Sequence, residues 1–189
     1  MAFVFVSGNL ALDLAGTLKW RRSEPEELLE QPGDLARWFD ETGAMPPGTA
    51  VDAKAFDAAI ALRESIYRLA SARVEGEAFD PEALRLVNGW AAAPGLRVEL
   101  TGAGVVRSGD VHNALAEVAR SAVQVLADPD VTMKECGRPA CTRIYLDKSR
   151  GARRTWCGMD ECGNRVKAAA YRARKRGATP ATSAAGASG

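Results

Sequence analysis

The chain has 189 residues, 47% hydrophobic and 26% charged, with a formal net charge of +1. That composition is that of a soluble globular protein with enough apolar material for a real core, and it excludes collagen-like, coiled-coil and wholly disordered chains. No stretch reaches the roughly 18 uninterrupted apolar residues of a membrane span. The apolar start, Met1 to Leu14, has no basic n-region and is broken by Asp13, so neither membrane contact nor a signal peptide is expected and the chain is placed in the cytoplasm.

In chain order, the N-terminal part reads mainly as helices. Asn9 to Trp20 carries Leu10, Leu12, Leu14 and Leu18 and is read as a strand that finishes as a helix. Leu35, Trp38 and Phe39 recur at helical spacing, with Gly43 as the stop. Lys54 to Arg73 is the clearest long helix, with Ala55, Ala59, Leu62, Ile66 and Leu69 along one face. Asp80-Pro81 opens a shorter helix, with Asp at the cap and Pro at the first position. Leu96, Val98 and Leu100 alternate, and Gly102-Ala103-Gly104 turns into Val105-Val106, which predicts a hairpin. From Asp110 to Ala127 an apolar stripe of Leu115, Val118, Ala122, Val125 and Leu126 stops before Pro129. After the short linker Asp128-Pro129-Asp130, Val131-Thr132-Met133 and Ile144-Tyr145-Leu146 are read as partner strands, and a helix follows Cys162 to about Arg176. Residues 1–130 are therefore expected to be a mainly α domain with a small β-hairpin (α+β). Residues 131–176 are expected to be a small module, and residues 177–189, poor in apolar side chains, a disordered tail.

The small net charge conceals an asymmetry. Residues 134–176 hold 13 Lys and Arg against 4 Asp and Glu, whereas residues 1–133 hold 12 against 20. An acidic body joined to a basic end points to a polyanionic partner. All four cysteines lie in the basic part, at Cys136, Cys141, Cys157 and Cys162, spaced C-x4-C, fifteen residues, C-x4-C. Such pairs make two disulfides or one metal site. A chain without a secretory signal keeps its thiols reduced, which favours a tetrahedral thiolate site with one structural Zn2+ per chain. Iron–sulfur ligation uses other spacings, and thiol redox chemistry is the remaining reading. The order of elements suggests a treble-clef-like four-cysteine zinc finger with Cys162 near a helix N-terminus, where the dipole favours a thiolate.

In the helix after Cys162, Val166, Ala169, Ala170 and Ala173 form a small face suited to packing on the finger, and Arg165, Lys167, Arg172, Arg174, Lys175 and Arg176 occupy most other positions. The preceding loop adds Lys148, Arg150, Arg153 and Arg154. Arginine suits bidentate contacts to phosphate or guanine, so nucleic-acid binding is expected here, against the alternative of a solvated basic surface.

Cys162-Gly163-Asn164-Arg165 spells C-G-N-R, with Asp147-x-Ser149-Arg150, Arg153-Arg154-x-Trp156-Cys157 and Met159 ahead of it. Over residues 131–176 the chain resembles the CGNR zinc-finger family, found in bacterial proteins regarded as stress-induced transcription regulators. The N-terminal ABATE domain of that family opens on an L-D-F-x-N-T-like motif. Leu12-Asp13-Leu14-Ala15-Gly16-Thr17 is similar, with Leu14 in place of Phe and Gly16 in place of Asn. The resemblance implies zinc held by the four cysteines, DNA bound by the basic finger, and an N-terminal domain that senses a small-molecule or protein effector. Asp13 and Thr17 are the candidates for ligand contact. Asn164 is either a helix cap or a contact to a base edge, and Arg165 either folds back on the finger or meets phosphate. A homodimer would help a lone small finger reach specificity.

Enzyme signatures are poor: the only histidine is His112, and no H-E-x-x-H, Walker A or G-x-S-x-G pattern occurs. Trp20, Trp38 and Trp90 are either core or the walls of an aromatic pocket. The leading expectation is a DNA-binding transcription regulator, not an enzyme. The alternatives are an RNA- or ribosome-associated zinc protein and a thiol-based redox sensor.

Overall fold

A computed structural model describes residues 2–43 and 45–177, with the side chains of Ala173 and Arg176 left aside. Six helices and three two-stranded antiparallel ribbons follow one another. They are α1 Leu10–Ala15, β1 Leu18–Lys19, β2 Glu26–Glu27, α2 Pro32–Thr42, α3 Ala53–Glu75, α4 Pro81–Ala92, β3 Arg97–Thr101, β4 Gly104–Ser108, α5 Val111–Ala127, β5 Met133–Glu135, β6 Ile144–Leu146 and α6 Asn164–Gly177. The fold class agrees with the sequence reading, and no described helix is long and apolar enough to cross a membrane.

Each helix of the body begins where a side chain supplies the missing acceptor. Asp52 takes the Ala55 amide at 2.7 Å, Asp80 takes Glu82 at 2.9 Å with Pro81 behind it, and Asp110 and Asn113 close a reciprocal capping box. Gly43 and Gly76 end α2 and α3 in the left-handed region, φ 62° and 74°. The core forms where α3, α4 and α5 pack with α1 and α2. Leu62, Ile66 and Leu69 meet Leu115 and Val118, and Leu12, Leu14, Leu35, Trp38 and Phe39 close the other side. Fully buried Ala59, Ala70, Ala114 and Ala119 let the backbones approach closely.

The segment from Asn9 to Trp20 runs opposite to the expected order: the helix comes first and the strand second. The Asn9 side chain explains this, because Oδ1 accepts from the amides of Ala11 and Leu12 and starts α1 at once, while its amide donates to Ser121 Oγ on α5 at 2.8 Å. The short β1–β2 ribbon was not expected. Its position is set by Arg63, almost fully buried on α3, whose guanidinium grips Glu27 at 2.6 and 2.8 Å and Glu64 at 2.8 Å. Arg21 in turn binds Glu64 and the Ala15 carbonyl and lies 4.0 Å over the Tyr67 ring. A buried cation is tolerated when its donors are matched as those of Arg63 are; Arg21 leaves its buried Nε without a hydrogen-bond partner.

The strand expected at Val131–Met133 begins at Met133, and its pairing with β6 sets Met133 opposite Leu146 and Glu135 opposite Ile144. Ile144 and Leu146 belong to the same buried cluster as the body helices. The Leu146 amide donates to the Ser7 carbonyl at 2.8 Å, so the N-terminal segment runs beside this ribbon. The expected tail lies, but for Gly177, outside the described residues.

Candidate metal centre and basic face

The four cysteine sulfurs converge from two sides. Cys136 and Cys141 sit on the knuckle that joins β5 to β6, closed by the Cys141 amide on the Arg138 carbonyl at 2.8 Å. Gly137 lies so close to the Thr155 backbone that a Cβ would fall 2.8 Å from its Cγ2 and 3.1 Å from its carbonyl oxygen. Cys157 precedes and Cys162 lies within a single wide turn, Met159–Gly163, in which the amides of both Cys162 and Gly163 share the Gly158 carbonyl at 3.1 and 2.9 Å. Gly163, second residue of the C-G-N-R run, leaves room for Met159: a Cβ there would stand 2.6 Å from its sulfur.

All four cysteines are buried, none is disulfide-bonded, and their sulfurs lie within 4.8 Å of one another. Cys141 to Cys157 measures 3.9 Å and Cys157 to Cys162 3.7 Å. Sulfurs at the corners of a tetrahedron around zinc, with Zn–S near 2.3 Å, stand about 3.8 Å apart, so four sulfurs within 4.8 Å of one another, with two pairs already at 3.7 and 3.9 Å, fit zinc. With no fourth position left for water, the metal supplies folding free energy rather than chemistry. Among the bare thiols, Cys136 is driven well below the ordinary thiol range because the thiols of Cys141 and Cys157 donate to its sulfur. That charge in turn pushes Cys141 up to about 12, and Cys136 together with Cys141 pushes Cys157 up as well. A divalent cation is what lets all four ionise together.

Zinc with four thiolates carries two negative charges, and the surroundings answer them. Arg138 places Nη1 3.9 Å from Cys162 Sγ while lying over the Trp20 ring at 5.7 Å. Arg143, its side chain only 5% exposed, runs beside Gly16, where a Cβ would reach 3.1 Å from its Nε, and meets Glu161 at 3.8 Å. The sequence reading missed both arginines. Their signal was available in their positions, inside and just after the first C-x4-C.

The loop between the cysteine pairs is built on Asp147. Its carboxylate accepts from Lys134 Nζ at 2.8 Å, from the Ser149 amide and hydroxyl at 3.0 and 2.6 Å, and from the Arg154 amide at 3.0 Å. Burial alone would raise its pKa, but these donors, Lys134 foremost, hold it far below the usual carboxylate range. The Arg154 guanidinium lies 4.3 Å over the Tyr145 ring and donates to the carbonyls of Trp156 at 2.8 Å, Val6 at 2.9 Å and Cys157. Burial pushes the Tyr145 phenol up to about 12, and its hydroxyl donates to the Arg154 carbonyl at 2.8 Å. Asp147, Ser149 and Arg154 of the C-G-N-R-associated motifs thus frame the loop.

Of the residues expected to meet nucleic acid, Arg150, Arg153, Asn164, Arg165, Lys167, Arg172, Arg174 and Lys175 are exposed. Arg154 turns inward instead, its donors used by carbonyls, and the Arg176 side chain lies outside the described residues. Asn164 donates to Asp160 Oδ1 at 3.3 Å, a contact within the helix start. The expected packing face of α6 does not pack: Val166 is half-buried, Ala169 and Ala170 are exposed, and Ala173 is outside the described side chains. From Lys167 to Lys175 every described side chain of the helix is exposed. Arg138, Pro139, Arg165, Val166, Ala169 and Arg172 line an open groove along it.

In the body, Asp13 accepts the Ser7 amide at 2.9 Å, and burial raises its pKa against that bond and the charge of Arg143. Thr17 is buried, donates to the Leu14 carbonyl at 2.7 Å and accepts from Arg63 at 3.3 Å. Trp38 is core, Trp90 stacks on exposed His112 at 6.0 Å, and Trp20 packs by the cysteines, so the three line no common pocket.

The donor set and its frame define a four-cysteine zinc finger. Residues 132–175 match the CGNR zinc finger, and residues 8–129 match the ABATE family, described as "putative stress-induced transcription regulator". The chain belongs to that family and is a regulator-like zinc protein. No curated protein matches it.

Proposed function

We propose that the chain is a DNA-binding transcription regulator in the cytoplasm, whose finger grips DNA through α6 and the Arg150–Arg153 loop and whose body answers a small-molecule or protein effector. One observation carries this reading. Arg165, Lys167, Arg172, Arg174 and Lys175 stand exposed on the helix, and no ion pair among the described residues holds them. A helix of 14 residues without tertiary packing is marginal by itself, so α6 gains its contacts from a partner. Its diameter suits the major groove, and Arg150 and Arg153 reach the flanking phosphates. Arg154 is left out of this set. Asp13 and Thr17 are satisfied within the body, so an effector at the Leu12–Thr17 motif would act by displacing those bonds.

The test is a set of anisotropy titrations of the zinc-loaded chain with a labelled DNA duplex and an RNA hairpin, at several salt concentrations. If about five cations meet phosphate, log affinity for the duplex falls with log salt at a slope of roughly −4 to −5, and R165A/R172A flattens the slope by about two. Tighter binding to the RNA at equal salt, or binding blind to salt and to both arginines, overturns the reading.

A further inference from the structure

The β3–β4 ribbon is poorly suited to face water. Of its ten residues all but Thr101 are exposed, among them Val98 (62%), Leu100 (83%), Val105 (56%) and Val106 (49%). Its sheet has two strands, so the outer edge of each carries unpaired amides and carbonyls. Proteins blunt such edges with charge, and β3 carries two charges, Arg97 and Glu99, of opposite sign and two positions apart. The internal register sets Val98 opposite Arg107 and Leu100 opposite Val105. One face is thus Val98, Leu100, Val105 and Arg107, and the other is Arg97, Glu99, Val106 and Ser108.

We propose that a second copy of this chain docks here, β3 against β3, antiparallel about a two-fold axis through Val98. A two-fold perpendicular to the sheet keeps each residue on its own face, so only registers centred on a residue are open. Centred on Val98, Arg97 faces Glu99 of the second copy and the reverse, Val98 faces its counterpart, and Leu100 faces Leu96. Every charge meets its opposite and every apolar side chain an apolar one. Centred on Glu99, the strand sets that carboxylate against itself. The β4 edge offers no such match: its only charge is Arg107, which finds no acid in any register. The product is a four-stranded sheet with Val98, Leu100 and Val105 of both copies continuous on one face. The ribbon then carries more than the two strands that are marginal alone. Two projecting basic helices would travel in one particle, but the dimer is measured without nucleic acid and stands or falls separately from the reading above.

The experiment is sedimentation velocity on the zinc-loaded full chain from about 1 to 200 μM, a range that brackets micromolar association. The parent chain should pass from monomer to dimer. R97E and E99R each turn two opposite-charge pairs into like-charge pairs, and each should weaken the dimer about tenfold or more. The double swap R97E/E99R restores opposite charges in the same register and should return the association to within about threefold of the parent, since cross-strand pairs of this kind act locally. All three variants alter exposed side chains, and unchanged far-ultraviolet circular dichroism checks their folding. A chain that stays monomeric throughout, a dimer indifferent to the single changes, or a double swap that fails to rescue overturns the proposal.

Discussion

Asp147 gathers four donors around its buried carboxylate, whereas Asp13 is pushed up by burial that the Ser7 amide and Arg143 do not offset. The two groups therefore act on stability with opposite sign. With its folded pKa depressed, Asp147 contributes stability that is present above the unfolded carboxylate value, about 3.9, and is lost as pH falls through the folded one. With its folded pKa raised, Asp13 contributes below that value and costs stability once pH rises through the folded one. D147N should be less stable than the parent at neutral pH and D13N more stable; the D13N difference should shrink as pH falls toward about 4, whereas the D147N difference should persist there and shrink only below it. Thermal melts of each variant against the parent at every pH check this. A D13N chain less stable than the parent at pH 7 would mean that the carboxylate charge is needed where it lies.

At the scale of elements, the finger depends on its metal while the helices of the body depend on one another. Replacing Cys157 by Ser should release zinc and unfold residues 147–163, while α3, α4 and α5, packed by Leu62, Ile66, Leu115 and Val118, keep most of their helicity. Elemental analysis and far-ultraviolet circular dichroism read the two halves; full zinc retention would count against four-thiolate ligation. What the sequence makes legible follows the same division. Cysteine spacing is local and metal geometry is strict, so the four ligands are readable from the chain. The long helices are readable from apolar stripes bounded by Asp52, Asp80 and Asp110. The Leu10–Leu12–Leu14 alternation reads as a strand, and only the Asn9 cap reverses it. The β1–β2 ribbon depends on Arg63 reaching Glu27 from 36 positions away, which no local pattern carries. The alanines of α6 mimic a packing face, yet alanine is also what a helix without neighbours uses, and composition cannot separate the two.

Across the whole molecule, the finger is seated in the body rather than hung from it. Ile144 and Leu146 lie in the body's core, Arg22 reaches Glu135, and the Arg21 amide bonds Thr142 Oγ1 at 3.2 Å. A chain cut after residue 130 should keep its helices and lose all duplex binding. It should also lose about 3 kcal/mol or more of stability, the worth of two buried aliphatic side chains. Urea unfolding of the cut and full chains decides it; equal midpoints would mean that the contacts across the boundary carry no energy.

The bond from Arg154 to the Val6 carbonyl joins residues 148 positions apart. During synthesis, Val6 leaves the ribosome first and its partner arrives on the order of ten seconds later. Phe3 and Phe5 meet Arg37 and Trp38 well before that, but Val6, which packs beside the cysteines, has no mate in that interval and stays available to chaperones. Completion of the finger, and the capture of its zinc, is therefore also the moment at which Val6 is shielded. A cell short of zinc would see the shortage first as newly made chains in which the segment around Val6 stays sticky.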